Sequence, residues 1–198
     1  MYYADQRRIY ESDPRGRHFR RGCFCGDRER RELIHMYRVA IITLSDTASK
    51  GERIDESGRV IAEIVRNEGY EVVFQKIIPD EGAMLEALLC GLADNNEADL
   101  ILTTGGTGFS KRDNTPEATR RVIERETPGI SEAMRYCSLQ VTPRGMLSRG
   151  VSGIRKDALI VNLPGSPKAV RECLEYAIGA LGHGLDILKG SAANCAAK

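Results

Sequence analysis

The sequence predicts an α/β protein of three layers, in which a mainly parallel sheet has helices on both faces and includes one antiparallel hairpin strand. Three observations support this fold class. From residue 36 onward, short apolar segments typical of buried strands alternate with longer segments whose apolar residues recur at helical spacing. Glycines, and hydroxyl residues followed by proline, stand where helices are expected to end or begin. Two short strands separated by a polar turn at Lys156-Asp157 indicate a hairpin.

The first half of this pattern contains two strands and two helices. Residues 38–44, RVAIITL, are almost continuously apolar, as in a strand that is buried on both faces. After a polar loop, apolar residues recur at helical spacing within residues 60–65, and Gly69 is a suitable helix end. Residues 70–78 are strand-like, and the leucine-rich residues 84–92 predict the second helix.

The second half contains the hairpin and three further helices. Residues 99–103, DLILT, predict a short buried strand. Thr115-Pro116-Glu117 then opens a helix, with Thr115 as the expected capping residue, and another helix is expected from about Ser131. The hairpin lies within SRGVSGIRKDALIVNLPG, residues 148–165. Ser166-Pro167 repeats the signal for a helix start and leads into the last long helix.

Composition divides the chain into three parts. Residues 1–35 show neither a helical nor a strand period, and their nine arginines against six acids give a charge of +3. We expect this part to be a disordered basic extension or a mis-assigned start, with Met36 as the true first residue. Residues 36–190 are expected to form the folded domain, and residues 191–198 a flexible tail.

Overall charge and cysteine content exclude several classes of protein. The net charge of +1 with 29% charged residues gives no electrostatic case for nucleic-acid or membrane binding. No run reaches the ~18 apolar residues that a membrane span requires. The six cysteines are scattered, which favours reduced thiols in a cytoplasmic protein. Cys23-Phe-Cys25 has no matching pair at zinc spacing, so a metal there is disfavoured.

Three loops have compositions that suit ligand binding at the carboxyl ends of parallel strands, where such sheets bind their ligands. Gly105-Gly-Thr-Gly108 lets backbone N–H groups approach a ligand, and this loop leads to Asp113. Residues 162–166 end at a helix N-terminus, which favours phosphate or carboxylate. Asp80 follows the strand that ends at Ile78 and is expected at the same edge.

Together these loops predict a phosphate site with a divalent cation, for which Asp80 and Asp113 supply oxygen ligands. The glycine loop is not a Walker A loop, because no Gly-Lys-Ser/Thr closes it, and it lacks the third glycine of a dinucleotide fingerprint. Purely structural roles are the alternatives. They are a tight turn for the glycines, a helix N-cap for Asp80 and a turn residue for Asp113.

Five segments in order closely resemble the molybdopterin adenylyltransferase family of the MogA/MoaB type, over residues 36–188. They are VAIITLSD, IIPDE, LTTGGTGFSKRDNTPEAT, LSRGVSGIR and IVNLPGSPKAVRECL. The resemblance implies a role in molybdenum cofactor biosynthesis. In this family a Mg²⁺-dependent reaction transfers AMP from ATP to the terminal phosphate of the dithiolene pterin and releases pyrophosphate.

By this resemblance, Asp80 and Asp113 are the catalytic residues and the ligands of Mg²⁺, and ATP is the co-substrate. The substrate-binding residues that it implies are Ser45, Asp46, Thr104, Gly105, Gly106, Thr107, Gly108, Ser148, Asn162, Pro164, Gly165 and Ser166. Within this set, Ser148 and Asn162 are expected to contact the phosphate of the pterin.

The resemblance also implies a homotrimer, with molybdopterin, ATP and a molybdate-inserting protein of the pathway as partners. Large apolar residues in the segment 130–147 suit an interface or a core position equally well. They are Met134, Tyr136, Leu139 and Met146.

Two other functions are compatible with the same fold. One is a molybdopterin-binding or scaffold paralogue without catalysis, against which the presence of both Asp80 and Asp113 argues. The other is hydrolysis of a nucleotide metabolite, by analogy with a related domain in competence-associated proteins, whose chains carry a large additional domain.

Overall fold

The structure, a computed structural model, describes residues 36–191. Its strands are β1 Arg38–Leu44, β2 Glu71–Ile78, β3 Leu100–Thr104, β4 Arg125–Glu126, β5 Ser152–Arg155 and β6 Ala158–Leu163. Its α-helices are α1 Asp46–Ser49, α2 Glu56–Asn67, α3 Gly82–Asp94, α4 Thr115–Val122, α5 Pro128–Leu139 and α6 Pro167–Leu188, and a 3₁₀ helix spans Pro143–Leu147.

The strands of this part of the chain form one sheet in the order β2-β1-β3-β6-β5-β4. Strands β2, β1, β3 and β6 run parallel, whereas β5 pairs antiparallel with both β6 and β4. Only β5 therefore runs against the other described strands, which confirms the prediction of a mainly parallel sheet with one antiparallel hairpin strand. The parallel strands bring their carboxyl ends to one edge of the sheet.

Alternate residues of the central strands pack against helices on opposite faces. Val39 and Ile41 belong to a core cluster shared with α2, α5 and α6, while Ala40 and Ile42 belong to a second cluster shared with α3 and α4. All four of these side chains are buried, because β1 lies between β2 and β3 and is covered on both faces. The predicted three-layer architecture is confirmed.

Three local features differ from the sequence prediction. Thr115 does not cap α4: Asn114 occupies the N-cap position without a capping bond, and the Thr115 hydroxyl donates instead to the Gly105 carbonyl at 3.0 Å. Helix α5 begins at Pro128 rather than near Ser131. The short elements α1 and β4 were not predicted, because a segment of four or two residues is too short to show a period.

Within residues 36–191, no helix is long and apolar enough to cross a membrane. The described residues include the whole of the predicted domain, residues 36–190, and its bounds stay a prediction. The predictions for residues 1–35, including the Cys23–Cys25 pair, lie outside the described residues. So do those for the rest of the tail, from residue 192.

Candidate functional site: a carboxylate cleft and an arginine cavity

The loops after β1, β2, β3 and β6 meet at the carboxyl edge of the sheet and enclose a cleft of about 190 Å³. We call it the carboxylate cleft. Its lining includes Ser45, Asp55, Glu56, Asp80, Gly105, Gly106, Asp113 and Gly165. Sequence analysis predicted six of these residues, Ser45 from the family resemblance alone and the others also from the loops that follow β2, β3 and β6. Asp55 and Glu56, at the start of α2, were not predicted.

The glycine loop needs glycine at two of its positions. Gly105 and Gly106 have φ of +95° and +63°, a region that favours glycine. A Cβ at Gly105 would lie 2.2 Å from the Leu44 carbonyl oxygen, and a Cβ at Gly106 would lie 2.4 Å from Thr115 Oγ1. The same position at Gly106 is 3.4 Å from Asp80 Oδ1, so the loop backbone passes directly beside this carboxylate.

Asp80 is held by backbone contacts with Asp46 rather than by a cation. The Asp46 N–H donates to Asp80 Oδ2, and the Asp80 N–H donates to Asp46 Oδ1, both at 3.1 Å. Burial raises the pKa of Asp80. The Asp46 N–H opposes this effect, and the nearby carboxylates of Asp46 and Asp113 add to it. Asp80 does not cap α3, because Glu81 occupies that position.

Asp113 faces the other side of the glycine loop. Its carboxylate accepts a hydrogen bond from the Ser110 N–H at 2.9 Å, and its own N–H donates to the Ser110 carbonyl at 3.0 Å. A Cβ at Gly108 would lie 2.9 Å from Asp113 Oδ2. Asp113 therefore closes a turn, as the structural interpretation expected, and its carboxylate also lines the carboxylate cleft.

Asp46 forms an ion pair with Arg112, whereas Asp80 has no such partner among residues 36–191. Arg112 donates to both oxygens of Asp46, from Nε at 3.0 Å and from Nη2 at 2.7 Å. These bonds, followed by the one from the Asp80 N–H, lower the pKa of Asp46. Arg112 thus joins the glycine loop to α1, a contact that the sequence did not predict.

The donor set of the carboxylate cleft fits a magnesium ion that keeps most of its ligands as water and phosphate. Among residues 36–191, no three Asp, Glu, His or Cys side chains converge on one point. Asp80 and Asp113 nevertheless flank the same glycine loop, and Mg²⁺ in nucleotide sites needs only one or two carboxylates. Burial, with the neighbouring carboxylates of Asp46 and Asp113, raises the pKa of Asp80, and no hydrogen bond or ion pair from a cationic side chain of residues 36–191 reaches this carboxylate.

A second cavity of about 360 Å³ opens beside the hairpin, and we call it the arginine cavity. Its lining includes Arg120, Ser131, Arg135, Ser148, Arg149 and Gly150, and it shares no lining residue with the carboxylate cleft. Ser148 was therefore predicted as a ligand contact but lies in a different cavity from Asp80. The arginines were not predicted, because isolated arginines in a 29% charged sequence carry no distinguishing signal.

The side chain of Asn162 is almost fully buried and its amide is occupied. Its Nδ2 donates to Thr103 Oγ1 at 2.9 Å and to Thr119 Oγ1 at 3.0 Å, and its Oδ1 accepts from the Val151 N–H at 3.2 Å. Both amide hydrogens are therefore used, and a direct bond to a phosphate would require one to be released. The structure favours a role in joining β3, α4 and the hairpin, and the predicted phosphate contact stays a prediction.

The remaining predicted residues support the loops around the carboxylate cleft. Thr104 Oγ1 donates to the Pro164 carbonyl at 2.6 Å, and the Thr107 carbonyl accepts from the Arg149 N–H at 3.0 Å. Ser166 caps α6 by accepting from the Ala169 N–H at 3.3 Å, as predicted. Ser45 caps α1 in the same way, with the Ala48 N–H at 3.2 Å.

Comparison with known proteins identifies the family. The family model described as "Probable molybdopterin binding domain" matches residues 40–183. The molybdopterin adenylyltransferase of Helicobacter pylori (strain ATCC 700392 / 26695) is 41% identical over 162 residues, which cover 81% of this chain and 90% of the relative. The molybdopterin adenylyltransferase of Escherichia coli (strain K12) is 44% identical over 145 residues, 72% of this chain and 74% of the relative.

A solved structure shows the same fold at similar identity. The molybdopterin biosynthesis enzyme MoaB from Thermus thermophilus is 47% identical, with a TM-score of 0.74, over 78% of this chain and 98% of that chain. The resemblance inferred from the five segments is confirmed, and the chain belongs to the family of probable molybdopterin-binding domains.

Proposed function

We propose that this chain is a molybdopterin adenylyltransferase of molybdenum cofactor biosynthesis, which transfers AMP from ATP to the terminal phosphate of molybdopterin and releases pyrophosphate. One observation supports this proposal above the others. A cleft lined by a glycine loop and by carboxylates, Asp80 and Asp113 among them, stands beside a separate cavity lined by arginines, and the two share no lining residue. Such a pair of cavities suits a nucleotide with its cation on one side and a phosphorylated second substrate on the other.

The reaction joins two anions. An oxygen of the pterin phosphate forms a bond to the α-phosphorus of ATP, while the bond from that phosphorus to the bridging oxygen breaks and its electron pair leaves with pyrophosphate. The protein's contribution to such a transfer is mainly the positioning of the reactants and the neutralisation of charge. No nucleophilic side chain is required.

Backbone groups would hold the nucleotide phosphates in the carboxylate cleft. The glycine loop contributes the backbone N–H groups of Gly105 and Gly106, two cleft-lining residues that have no side chain of their own. Gly165 and Pro167, at the N-terminus of α6, also line the cleft, where the helix dipole favours anions. Asp80 and Asp113 would hold Mg²⁺, which when bound offsets the charge that leaves with pyrophosphate.

The arginine cavity supplies the groups that suit the pterin phosphate. Arg120, Arg135 and the Ser148 hydroxyl line it, and guanidinium groups bind phosphate through paired hydrogen bonds. Arg135 is oriented by its bond from Nη1 to the Gly150 carbonyl at 2.9 Å. A narrow extension of this cavity reaches Ser138 and Pro164, beside the loop that also borders the carboxylate cleft.

The direct test is pyrophosphate release by the purified chain with ATP, Mg²⁺ and molybdopterin. We expect one pyrophosphate for each adenylylated pterin, and no release when molybdopterin or Mg²⁺ is omitted. Molybdopterin binding at saturating ATP and Mg²⁺ without pyrophosphate release would instead support the alternative of a binding or scaffold paralogue.

We also propose that the chain forms a homotrimer through the surface of α5 and the 3₁₀ helix. Tyr136 and Met146 are 60% and 64% exposed, and Leu139, Val141 and Leu147 are exposed beside them in sequence. Exposed apolar groups of this kind are typical of subunit interfaces. Met134, by contrast, is buried in the core, so the interface interpretation does not extend to it.

Sedimentation equilibrium tests the assembly. We expect three times the chain mass for the wild type at micromolar concentration and a lower mass for Met146→Glu. Ile187→Glu is the matched control, because Ile187 is 55% exposed but lies on α6. A monomer mass for the wild type would rule the trimer out.

A further inference from the structure

We propose that Arg149 is a positioning residue that couples the arginine cavity to the carboxylate cleft. The inference rests on the proposed function, in which the two cavities hold the two substrates. Arg149 lines the arginine cavity between Ser148 and Gly150. None of its side-chain bonds is directed to another residue of that cavity, however. They all reach the glycine loop and α4.

Four bonds hold this one residue, three to carbonyls of the loop that carries Asp113 and one to Glu117 of α4. The backbone N–H of Arg149 donates to the Thr107 carbonyl at 3.0 Å. Its Nε donates to the Gly108 carbonyl at 2.7 Å, its Nη2 donates to the Asp113 carbonyl at 2.6 Å, and its Nη1 pairs with Glu117 of α4. The guanidinium therefore holds both ends of the segment 108–113.

These bonds determine where the loop's N–H groups point. A peptide unit is planar, so a carbonyl that is held in place also sets the direction of the N–H in the same unit. Holding the Thr107 and Gly108 carbonyls orients the N–H groups of Gly108 and Phe109, which follow the cleft-lining residues Gly105 and Gly106 in the same loop but do not themselves line the cleft. Holding the Asp113 carbonyl restrains the backbone from which the Asp113 carboxylate projects into the carboxylate cleft.

The same residue responds to a ligand on its other side. A phosphate bound by the Ser148 hydroxyl restrains the backbone of residues 148–150, from which the Arg149 side chain extends. This restraint favours the loop conformation that binds the nucleotide. Because coupling between two binding sites is reciprocal, the nucleotide must increase the affinity for the pterin by the same factor.

The geometry of arginine is essential to this role. Its planar fork places several donors in fixed directions, whereas a lysine ammonium is a single point charge that cannot reach carbonyls on both sides of a loop. Arg149→Lys therefore keeps the charge and removes the coupling, which distinguishes positioning from simple electrostatic attraction.

The test measures binding rather than turnover. The dissociation constant of Mg²⁺-α,β-methylene-ATP is measured by calorimetry with and without saturating molybdopterin. We expect molybdopterin to tighten nucleotide binding about fivefold or more in the wild type, which is within the usual range of coupling between sites. In Arg149→Lys the two constants should agree within about twofold, while each ligand alone still binds.

Arg155→Lys is the matched control. Arg155 also belongs to the hairpin and also makes three side-chain bonds, two to Asp94 and one to the Val122 carbonyl, but it contacts neither cavity. This variant should keep the wild-type coupling. If Arg155→Lys also lost the coupling, any substitution that removes hydrogen bonds of the hairpin would abolish the coupling. That result would overturn the specific role of Arg149.

A second variant decides the matter if Arg149→Lys does not fold. Glu117→Gln keeps the shape of the side chain that pairs with Arg149 but removes its charge. We therefore expect the factor by which molybdopterin tightens nucleotide binding to fall by at least half, while the fold is retained. Equal coupling in the wild type and in the variants that fold would overturn the inference and leave the proposed function intact. Failure of the wild type to bind either ligand would overturn the proposed function itself.

Discussion

Asp99 lies at the amino ends of the parallel strands and Asp80 at their carboxyl ends, and the charges that surround the two carboxylates are opposite. Cationic side chains surround Asp99, whereas other carboxylates lie near Asp80. Asp99 directly precedes β3 and is 6% exposed. Arg38 donates to it from the backbone N–H, from Nε and from Nη2, and Lys189 Nζ lies 2.7 Å from its Oδ1. Burial alone would raise the pKa of Asp99, but the hydrogen bonds from Arg38 and Lys189 outweigh this effect and lower the pKa to about 2.

Asp80, after β2, has the opposite arrangement. It forms no ion pair with any residue of the described range 36–191, and its carboxylate accepts only from the Asp46 N–H. Burial and two neighbouring carboxylates raise its pKa. Arg112, whose positive charge acts weakly on Asp80, is bound to Asp46 instead.

The comparison indicates that the carboxylate of Asp99 stabilises the fold, whereas that of Asp80 suits the binding of a ligand. At the amino edge, the carboxylate is fully paired and ties the end of α6 to β1 and β3, so its charge stabilises the fold. At the carboxyl edge, Asp80 has no ion-pair partner among residues 36–191 and is disfavoured as a carboxylate by burial and by two neighbouring carboxylates, which favours the binding of a cation with its ligand. Substitutions at the two edges should therefore differ in what they change and by how much.

Removal of the charge of Asp80 or of Asp113 should have the largest effect. Asp113→Asn and Asp80→Asn each keep the shape of the side chain, and we expect pyrophosphate release to fall about 10²- to 10³-fold, as for loss of one group that stabilises a transition state. Molybdopterin binding should remain near the wild-type value. A turnover within about threefold of the wild type would reduce Asp113 to a turn residue.

For Asp80, the stability of the variant gives a second test of this prediction. The pKa of Asp80 is raised in the folded state, so folding disfavours its ionised form. At neutral pH the charge of Asp80 therefore does not add to the free energy of unfolding. Asp80→Asn should therefore unfold in urea at the same or a higher concentration than the wild type. A marked loss of stability would contradict the view that this charge is uncompensated.

Asp99→Asn should behave in the opposite way. Lowering of its pKa from 3.8 to about 2 contributes stability that is present above pH 3.8 and is lost as the pH falls toward 2. The free energy of unfolding at neutral pH should drop by about 2–3 kcal/mol in the variant, with little change in turnover of the folded protein. Urea titrations at pH 7 and pH 3 measure the free energy of unfolding of the variant and of the wild type. The difference between the two free energies should be smaller at pH 3 than at pH 7.

Ser148→Ala tests the arginine cavity with a smaller effect. Loss of one hydrogen bond to a charged phosphate costs about 1.5–3 kcal/mol, so the dissociation constant of molybdopterin should rise by about one to two decades. Asn162→Ala is the informative comparison. Because its amide is committed to Thr103 and Thr119, this variant should also lose stability, whereas Ser148→Ala should not. Unchanged binding in both variants would mean that the phosphate lies elsewhere.

The smallest effect is expected for Arg112→Gln. Arg112 is exposed and its partner Asp46 is only partly buried, and ion pairs at the surface contribute little to stability, so the urea midpoint should not move. Removal of a positive charge beside Asp80 should instead reduce the Mg²⁺ concentration needed for half-maximal nucleotide binding by about two- to threefold. A higher Mg²⁺ requirement would show that Arg112 supports the cation site rather than competing with it.

The sheet was predictable because its strands carry their own signal. Strands β1 and β3 are continuously apolar and buried on both faces, so their identity and their parallel pairing followed from the residues themselves. The carboxylate cleft was predictable for a related reason. Once Asp80 and the glycine loop are known to follow parallel strands, topology places them at one edge of the sheet.

The roles of the arginines could not be obtained in this way. Arg149 is 36 residues from Asp113, and Arg112 is 66 residues from Asp46, so nothing in the local pattern indicates these partners. The same limit explains Thr115, whose expected capping role was replaced by a bond to Gly105 across the loop. Each of these contacts depends on which loops the fold brings together.

The sequence by itself therefore determined the order of the longer strands and helices and placed Asp80 and the glycine loop at the carboxyl edge of the sheet. Only the tertiary structure decided that Ser148 lies in a separate cavity, that the Asn162 amide is occupied and that Arg149 binds the carbonyls of Gly108 and Asp113. The physical reason is the range of the interactions. Periodicity and turn chemistry act between residues close in sequence, whereas hydrogen bonds and charge pairing act between side chains that become neighbours only after folding.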